Sequence, residues 1–157
     1  MKLNEIVKNW VRSRILNLKL FKGCSGDRCE HYGRGSSSTS LYLLLGQSLT
    51  SPNGVAKLVM QADGNLVVLC HGASTWQSGT GGMDIRTGLA IQDDGNLVLY
   101  IQSGGFVWTP STCCRTTGTS VIVQNDGNVI VKDRASGNVV WNTGTSCIHL
   151  ISPGEPP

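Results

Sequence analysis

The chain has 157 residues, 20 of them glycine, with 15% charged residues and a formal net charge of +3. It is long enough for one ordinary domain with a sizeable core, and its short runs of Val, Ile, Thr and Ser suit many short strands rather than a helical bundle. The charge is uneven. Residues 1–40 hold eight Lys or Arg against three acids, and residues 41–157 hold five against seven, so the larger part has no basic surplus to draw it to nucleic acid.

In chain order, Leu3, Ile6, Val7, Trp10, Val11, Ile15 and Leu18 recur at roughly helical spacing with cations between them. Residues 1–23 therefore read as a basic amphipathic helix. The segment lacks the apolar stretch of a signal peptide, and nothing approaches the length of a membrane-spanning helix. Three readings stay open: a segment that contacts a membrane surface or targets the chain, a packing or dimerisation helix, or a wrongly assigned start. Residues 33–40 (Gly-Arg-Gly-Ser-Ser-Ser-Thr-Ser) read as a flexible linker. This divides the chain into an extension, 1–40, a main domain, 41–150, and a tail, 151–157.

The main domain repeats itself. Gln61-Ala62-Asp63-Gly64-Asn65, Gln92-Asp93-Asp94-Gly95-Asn96 and Gln124-Asn125-Asp126-Gly127-Asn128 each lead into a β-branched or leucine-rich run, and the glutamines lie 31 and 32 residues apart. One small unit is used three times. Asp-Gly between apolar runs is a strong hairpin signal, because Gly takes the positive φ of a tight turn. Residues 57–61 are predicted to pair with 65–69, 89–92 with 96–100, and 121–124 with 128–132. Each unit closes with Trp76, Trp108 or Trp141, followed four residues later by Thr80, Thr112 or Thr145. The three Trp residues are expected to share a structural core at the centre.

Strand alternation gives each hairpin two faces. Leu97, Leu99 and Ile101 supply the core. Asn96, Val98 and Tyr100 point the other way, with Gln92 and Asp94 at the same offset. These amide, carboxylate and phenol groups offer donors and acceptors around an apolar centre, which is the chemistry that holds a polyhydroxylated ring. The competing reading is that Asp and Asn only tie the turn. The recurring Gln two residues before each Asp, and Tyr100 at the end of the second copy, go beyond what a turn requires.

This triplicated Q-x-D-x-N-x-V-x-Y pattern, with a Trp closing each unit, resembles the monocot mannose-binding lectins, the bulb-type or snowdrop-lectin-like family. The stretch Leu45-Gly46-Gln47-Ser48-Leu49 is similar to the family's first strand. The resemblance implies an all-β fold, the β-prism II: three four-stranded antiparallel sheets about a pseudo-threefold axis with the Trp residues inside. It also implies that Gln92, Asp94, Asn96 and Tyr100 hydrogen-bond mannose while Val98 packs against the ring. The first copy keeps Gln61, Asp63, Asn65 and Val67 but has Leu69 in place of Tyr. The third keeps Gln124, Asp126 and Asn128, with Ile130 for Val and Lys132 for Tyr. One complete and two weaker carbohydrate sites are therefore expected. The β-trefoil, another threefold lectin fold, fits less well, since its units are longer and marked by Q-x-W.

The six cysteines, Cys24, Cys29, Cys70, Cys113, Cys114 and Cys147, favour disulfides and an oxidising compartment, hence secretion. Their pairing is unreadable. In the family the usual bridge involves a Cys in the first motif, where this chain has Gly64. Cys114 and Cys147 stand six residues after their Trp, where the first unit has Gly82. Cys24, Cys29 and His31 lack the spacing of a zinc site. No catalytic arrangement, metal or cofactor is expected: His31 and His149 lie outside the repeats, and His71 is a loop residue with no matching nucleophile to act with. The expected partners are mannose-containing glycans, with a homodimer as an option for avidity. Two alternatives stand beside the lectin reading. One is a protein-interaction or structural module on the same fold. The other is a surface-targeted, membrane-active defence protein using residues 1–23.

Overall fold

A computed structural model describes residues 24–25, 28–30, 41–92, 94–114 and 118–147. The basic segment 1–23, the linker 33–40, the tail 151–157, and His31 and His149 lie outside the described residues. What is described is all-β, with thirteen strands in chain order. They are β1 (Cys24–Ser25), β2 (Arg28–Glu30), β3 (Leu41–Leu44), β4 (Ser48–Thr50), β5 (Ala56–Met60), β6 (Leu66–Cys70) and β7 (Ala73–Gln77). Then follow β8 (Ile85–Ile91), β9 (Leu97–Ile101), β10 (Phe106–Trp108), β11 (Thr119–Val123), β12 (Val129–Asp133) and β13 (Val139–Asn142).

The strands form three antiparallel sheets, ordered β4-β5-β6-β7, β10-β9-β8-β3 and β1-β2-β11-β12-β13. Each repeat therefore supplies three consecutive strands of its own sheet, and the fourth comes from the chain that precedes the repeats. β4 joins the first sheet, β3 the second and β2 the third, so the preceding stretch serves the three sheets in reverse order. Arg28–Glu30, from the segment before residue 40, pair with β11, and β1 extends that sheet to five strands. The stretch Leu45 to Leu49, similar to the family's first strand, is a turn over Leu45 to Gln47 followed by the start of β4. Its turn, closed by Gln47 N–H donating to Leu44 O at 2.9 Å, sends β3 to one sheet and β4 to another.

The predicted hairpins form with nearly the predicted registers: Met60 faces Leu66, Ile91 faces Leu97 and Val123 faces Val129. Gln and Asn fall just outside the strands and close the loop between them. Gln92 N–H donates to Asn96 O at 2.9 Å and Gly95 N–H to Gln92 O at 2.9 Å, a pattern shared by the other two copies. This is a three-residue hairpin loop whose last residue needs positive φ, and Gly64, Gly95 and Gly127 have φ of 89°, 84° and 89°. Space reinforces the choice. A Cβ on Gly64 would meet Met83 O at 2.6 Å, and one on Gly127 would fall on the Cys147 sulfur.

Period-two alternation places four residues of each hairpin in one core: Leu58, Met60, Leu66 and Val68; Leu89, Ile91, Leu97 and Leu99; Val121, Val123, Val129 and Val131. Trp76, Trp108 and Trp141 pack against it. Their ring centroids are 5.7–5.8 Å apart with interplanar angles of 74–78°, a closed triangle of edge-to-face contacts. Each such contact adds about 0.5–1.5 kcal/mol beyond area burial. No single repeat can make this triangle, so the three units depend on one another. Cys70, at the end of β6, is bonded to Cys147, 77 residues later, which ties the first repeat to the third. Cys114, expected to be equivalent to Cys147, is exposed and outside this bridge, as is the half-buried Cys113. Among the described residues no helix is long and apolar enough to cross a membrane.

Candidate functional site

The second hairpin sets its polar groups in order. Asp94 Oδ1 accepts the Asn96 backbone N–H at 2.9 Å, which locks the turn. Asn96 Oδ1 accepts from Thr109 Oγ1 at 2.9 Å and from the Thr112 N–H at 3.0 Å. Thr112 Oγ1 in turn donates to Gly95 O at 2.9 Å. Asp and Asn thus do tie the turn, but each uses only one end for it. Among the described residues, the second carboxylate oxygen of exposed Asp94 and the Nδ2 of half-buried Asn96 make no hydrogen bond. Gln92 Nε2 donates to the Tyr100 hydroxyl at 2.9 Å. That oxygen accepts from Gln92 and keeps its own O–H as a donor.

Val98 sits between Asn96 and Tyr100 on this face, yet it is 3% exposed, where the alternation pattern left it open. The reason is its strand: β9 is an interior strand, flanked by β8 and β10, and Val98 pairs with the equally buried Ala90. It forms the floor of the patch rather than an open contact.

The first copy builds the same frame and then closes it. Asn65 N–H donates to Asp63 Oδ1 at 2.9 Å, and Asn65 Oδ1 accepts from Thr80 N–H at 3.2 Å and Ser78 Oγ at 3.1 Å. Here, however, Asn65 Nδ2 also donates to Gln77 Oε1 at 2.9 Å, and Asn65 is 8% exposed. Its amide is spent inside the protein. Leu69, in the tyrosine position, gives Gln61 no hydroxyl to bond. Val67 is 3% exposed, like Val98.

The third copy repeats the frame: Asn128 N–H donates to Asp126 Oδ1 at 2.9 Å, and Thr143 Oγ1 and Gly144 N–H donate to Asn128 Oδ1 at 3.1 and 3.0 Å. Asn128 Nδ2 has no partner of the kind Gln77 provides, because Asn142 follows Trp141 in place of a glutamine. Ile130 is 6% exposed, and half-buried Lys132 stands where Tyr100 stands in the second copy.

The spacing W-x-x-x-T is explained by these bonds. Thr80, Thr112 and Thr145 each donate a hydroxyl to the carbonyl of the motif Gly, at 2.7, 2.9 and 2.6 Å. They clamp the segment after each Trp onto the hairpin loop, so the Trp triangle and the polar patch are held by one frame. Gln77 and Thr109, which immediately follow their Trp, were not identifiable from the repeat because the residue at that place differs in every unit. No group of three or more His, Cys, Asp or Glu able to hold a metal occurs among the described residues.

No protein-family model matches the chain. The mannose-specific lectin of Aloe arborescens is 37% identical to it over 92 residues, 59% of this chain and 82% of that protein. A monomeric monocot mannose-binding lectin from Gastrodia elata is 34% identical, with a TM-score of 0.60 over 77% of this chain and 99% of that one. The mannose-specific agglutinin of snowdrop, Galanthus nivalis, solved with methyl α-D-mannoside, is 31% identical, with a TM-score of 0.52 over 76% of this chain and 96% of that one. With its three-sheet fold, its central Trp triangle and these relatives, the chain belongs to the bulb-type lectin family, the monocot mannose-binding lectins, and is not an enzyme.

Proposed function

We propose that this chain binds mannose or high-mannose glycans, and that the second repeat carries the one complete site. Gln92, Asp94, Asn96 and Tyr100 hydrogen-bond the sugar hydroxyls, and Val98 forms the floor under the ring. The observation that carries this reading is the Gln92–Tyr100 hydrogen bond beside the unbonded ends of Asp94 and Asn96. It leaves donors and an acceptor on one small patch. The sites of the first and third repeats are weaker: the first has Asn65 tied to Gln77 and lacks the phenol, and the third has Lys132 in its place.

A shallow site of this kind binds in the millimolar range, near −4 kcal/mol, so a second copy of the chain would raise avidity on a multivalent glycan. The Cys70–Cys147 bridge suits a secreted protein.

The test is titration calorimetry with methyl α-mannoside. Binding is expected, with Asp94→Asn lowering affinity while keeping the oxygen that accepts from Asn96. A flat titration of the wild-type chain, together with a blank mannose array, ends the mannose reading and leaves the protein-interaction module in its place.

A further inference from the structure

Beside the patch lies a cavity of about 380 Å³, of whose lining the mannose reading uses only Tyr100. Its size falls within the roughly 300–1,000 Å³ of small-molecule sites. Tyr42 and Tyr100 wall it, and Arg86, Thr87, Gly88 and Gly104 complete it.

The fold explains how these residues meet. Ala90 pairs with Tyr42 on one side and Val98 on the other. Tyr42 therefore shares the face of Val98, and Tyr100, two residues along, shares it too. The β8–β9 register shifts between Ile85 and Leu89, an irregularity that re-aims the side chains around it, here Arg86 and Thr87. Gly88 (φ 139°) lies against the Leu43 carbonyl, which leaves no room for a Cβ, so bare backbone forms that part of the cavity. The segment is anchored from the next turn: Gln102 N–H donates to Asp84 O at 3.0 Å and Gln102 Nε2 to Arg86 O at 3.4 Å.

Arg86 is exposed, and among the described residues no carboxylate lines the cavity. A guanidinium beside two phenol rings is suited to a planar carboxylate or a phosphate, which it can grip through two parallel N–H donors. The pseudo-equivalent cavity beside Leu69, about 340 Å³, also holds a cation, Lys57, with His71 on its wall but neither of the two phenol rings.

We infer that the cavity of Tyr42, Arg86 and Tyr100 is a second subsite, taking an anionic group, a uronate carboxylate or a phosphate ester, borne on or next to the mannose. This rests on the reading that the second repeat holds the mannose. Tyr100 is the shared residue: its hydroxyl accepts from Gln92 in the mannose patch, and it also lines the cavity. Arg86 sets specificity without taking part in the mannose contacts.

The test is calorimetry on the full chain with methyl α-mannoside, mannose 6-phosphate and a mannosyl-glucuronic acid disaccharide. At low salt at least one anionic ligand should bind roughly two- to five-fold tighter than the neutral mannoside, the scale of an exposed ion pair. The preference should vanish in Arg86→Ala, shrink as salt rises, and leave methyl α-mannoside affinity unchanged. Which anionic ligand gains identifies the source of the charge. Equal binding of all three ligands, or a preference that survives Arg86→Ala, overturns the inference while the mannose reading stands. If none of the three binds, both fall.

Discussion

The first and second repeats are built on one frame and differ in what they leave uncovered. Both lock the turn with an Asp oxygen on the Asn N–H, and both clamp the post-Trp segment through the Asn oxygen. In the second, the Asn nitrogen makes no hydrogen bond among the described residues and Tyr100 is held by Gln92. In the first, Gln77 takes the Asn65 nitrogen and Leu69 offers no hydroxyl. The same Asn therefore has two jobs. Its oxygen serves the fold in every copy, and under the proposed function its nitrogen is open to a ligand only where the neighbours leave it alone. A sequence motif can persist for the first job after the second is lost.

The comparison can be broken or sharpened by substitution. The largest effect should come from what the repeats share. Trp108→Ala opens the triangle and should cost about 3–5 kcal/mol of stability, as should Trp76→Ala; denaturant unfolding measures both. If one of them is nearly neutral, the three units are less interdependent than the triangle implies.

Next are the asparagines. Asn65→Ala and Asn96→Ala each leave a buried or half-buried N–H without its acceptor, at about 1–3 kcal/mol. Asn65→Ala should be destabilised somewhat more, since it also loses the bond to Gln77, while only Asn96→Ala loses mannoside binding. Loss of binding in Asn65→Ala alone would reverse the assignment of the principal site.

Tyr100→Phe is gentler. It removes the hydroxyl that accepts from Gln92 and the bond proposed to the sugar, each about 0.5–1.5 kcal/mol, and should weaken methyl α-mannoside binding roughly two- to ten-fold with only a small loss of stability. The smallest effect belongs to repair of the first site. Leu69→Tyr alone should add little, because Asn65 remains engaged by Gln77. Leu69→Tyr with Gln77→Ala should raise the number of sugars bound per chain, read from calorimetric stoichiometry. Equal gain from the single variant would show that the Gln77 contact does not matter.

Much of this was legible in the sequence because its signals are local. The Gln-x-Asp-Gly-Asn spacing fixes a hairpin loop, since only Gly tolerates the positive φ and the crowding there. Alternation fixes which side of each strand is core, and three Trp residues at one place in each unit foretell a shared centre. The roles of the closing threonines, of Gln77 and of Arg86 were not legible, because each acts on a partner brought close only by folding.

What the sequence by itself determined is the unit, its threefold use and the degeneration of the tyrosine position at Leu69 and Lys132. These depend on turn chemistry and strand period, which act over a few residues. The tertiary structure alone decided three further things: that residues 28–50 give one strand to each of the three sheets, that Cys70 is joined to Cys147, and that Val98 lies under the patch. Each joins groups distant along the chain or depends on neighbouring strands, and no local preference encodes which distant strand, sulfur or side chain will be the neighbour.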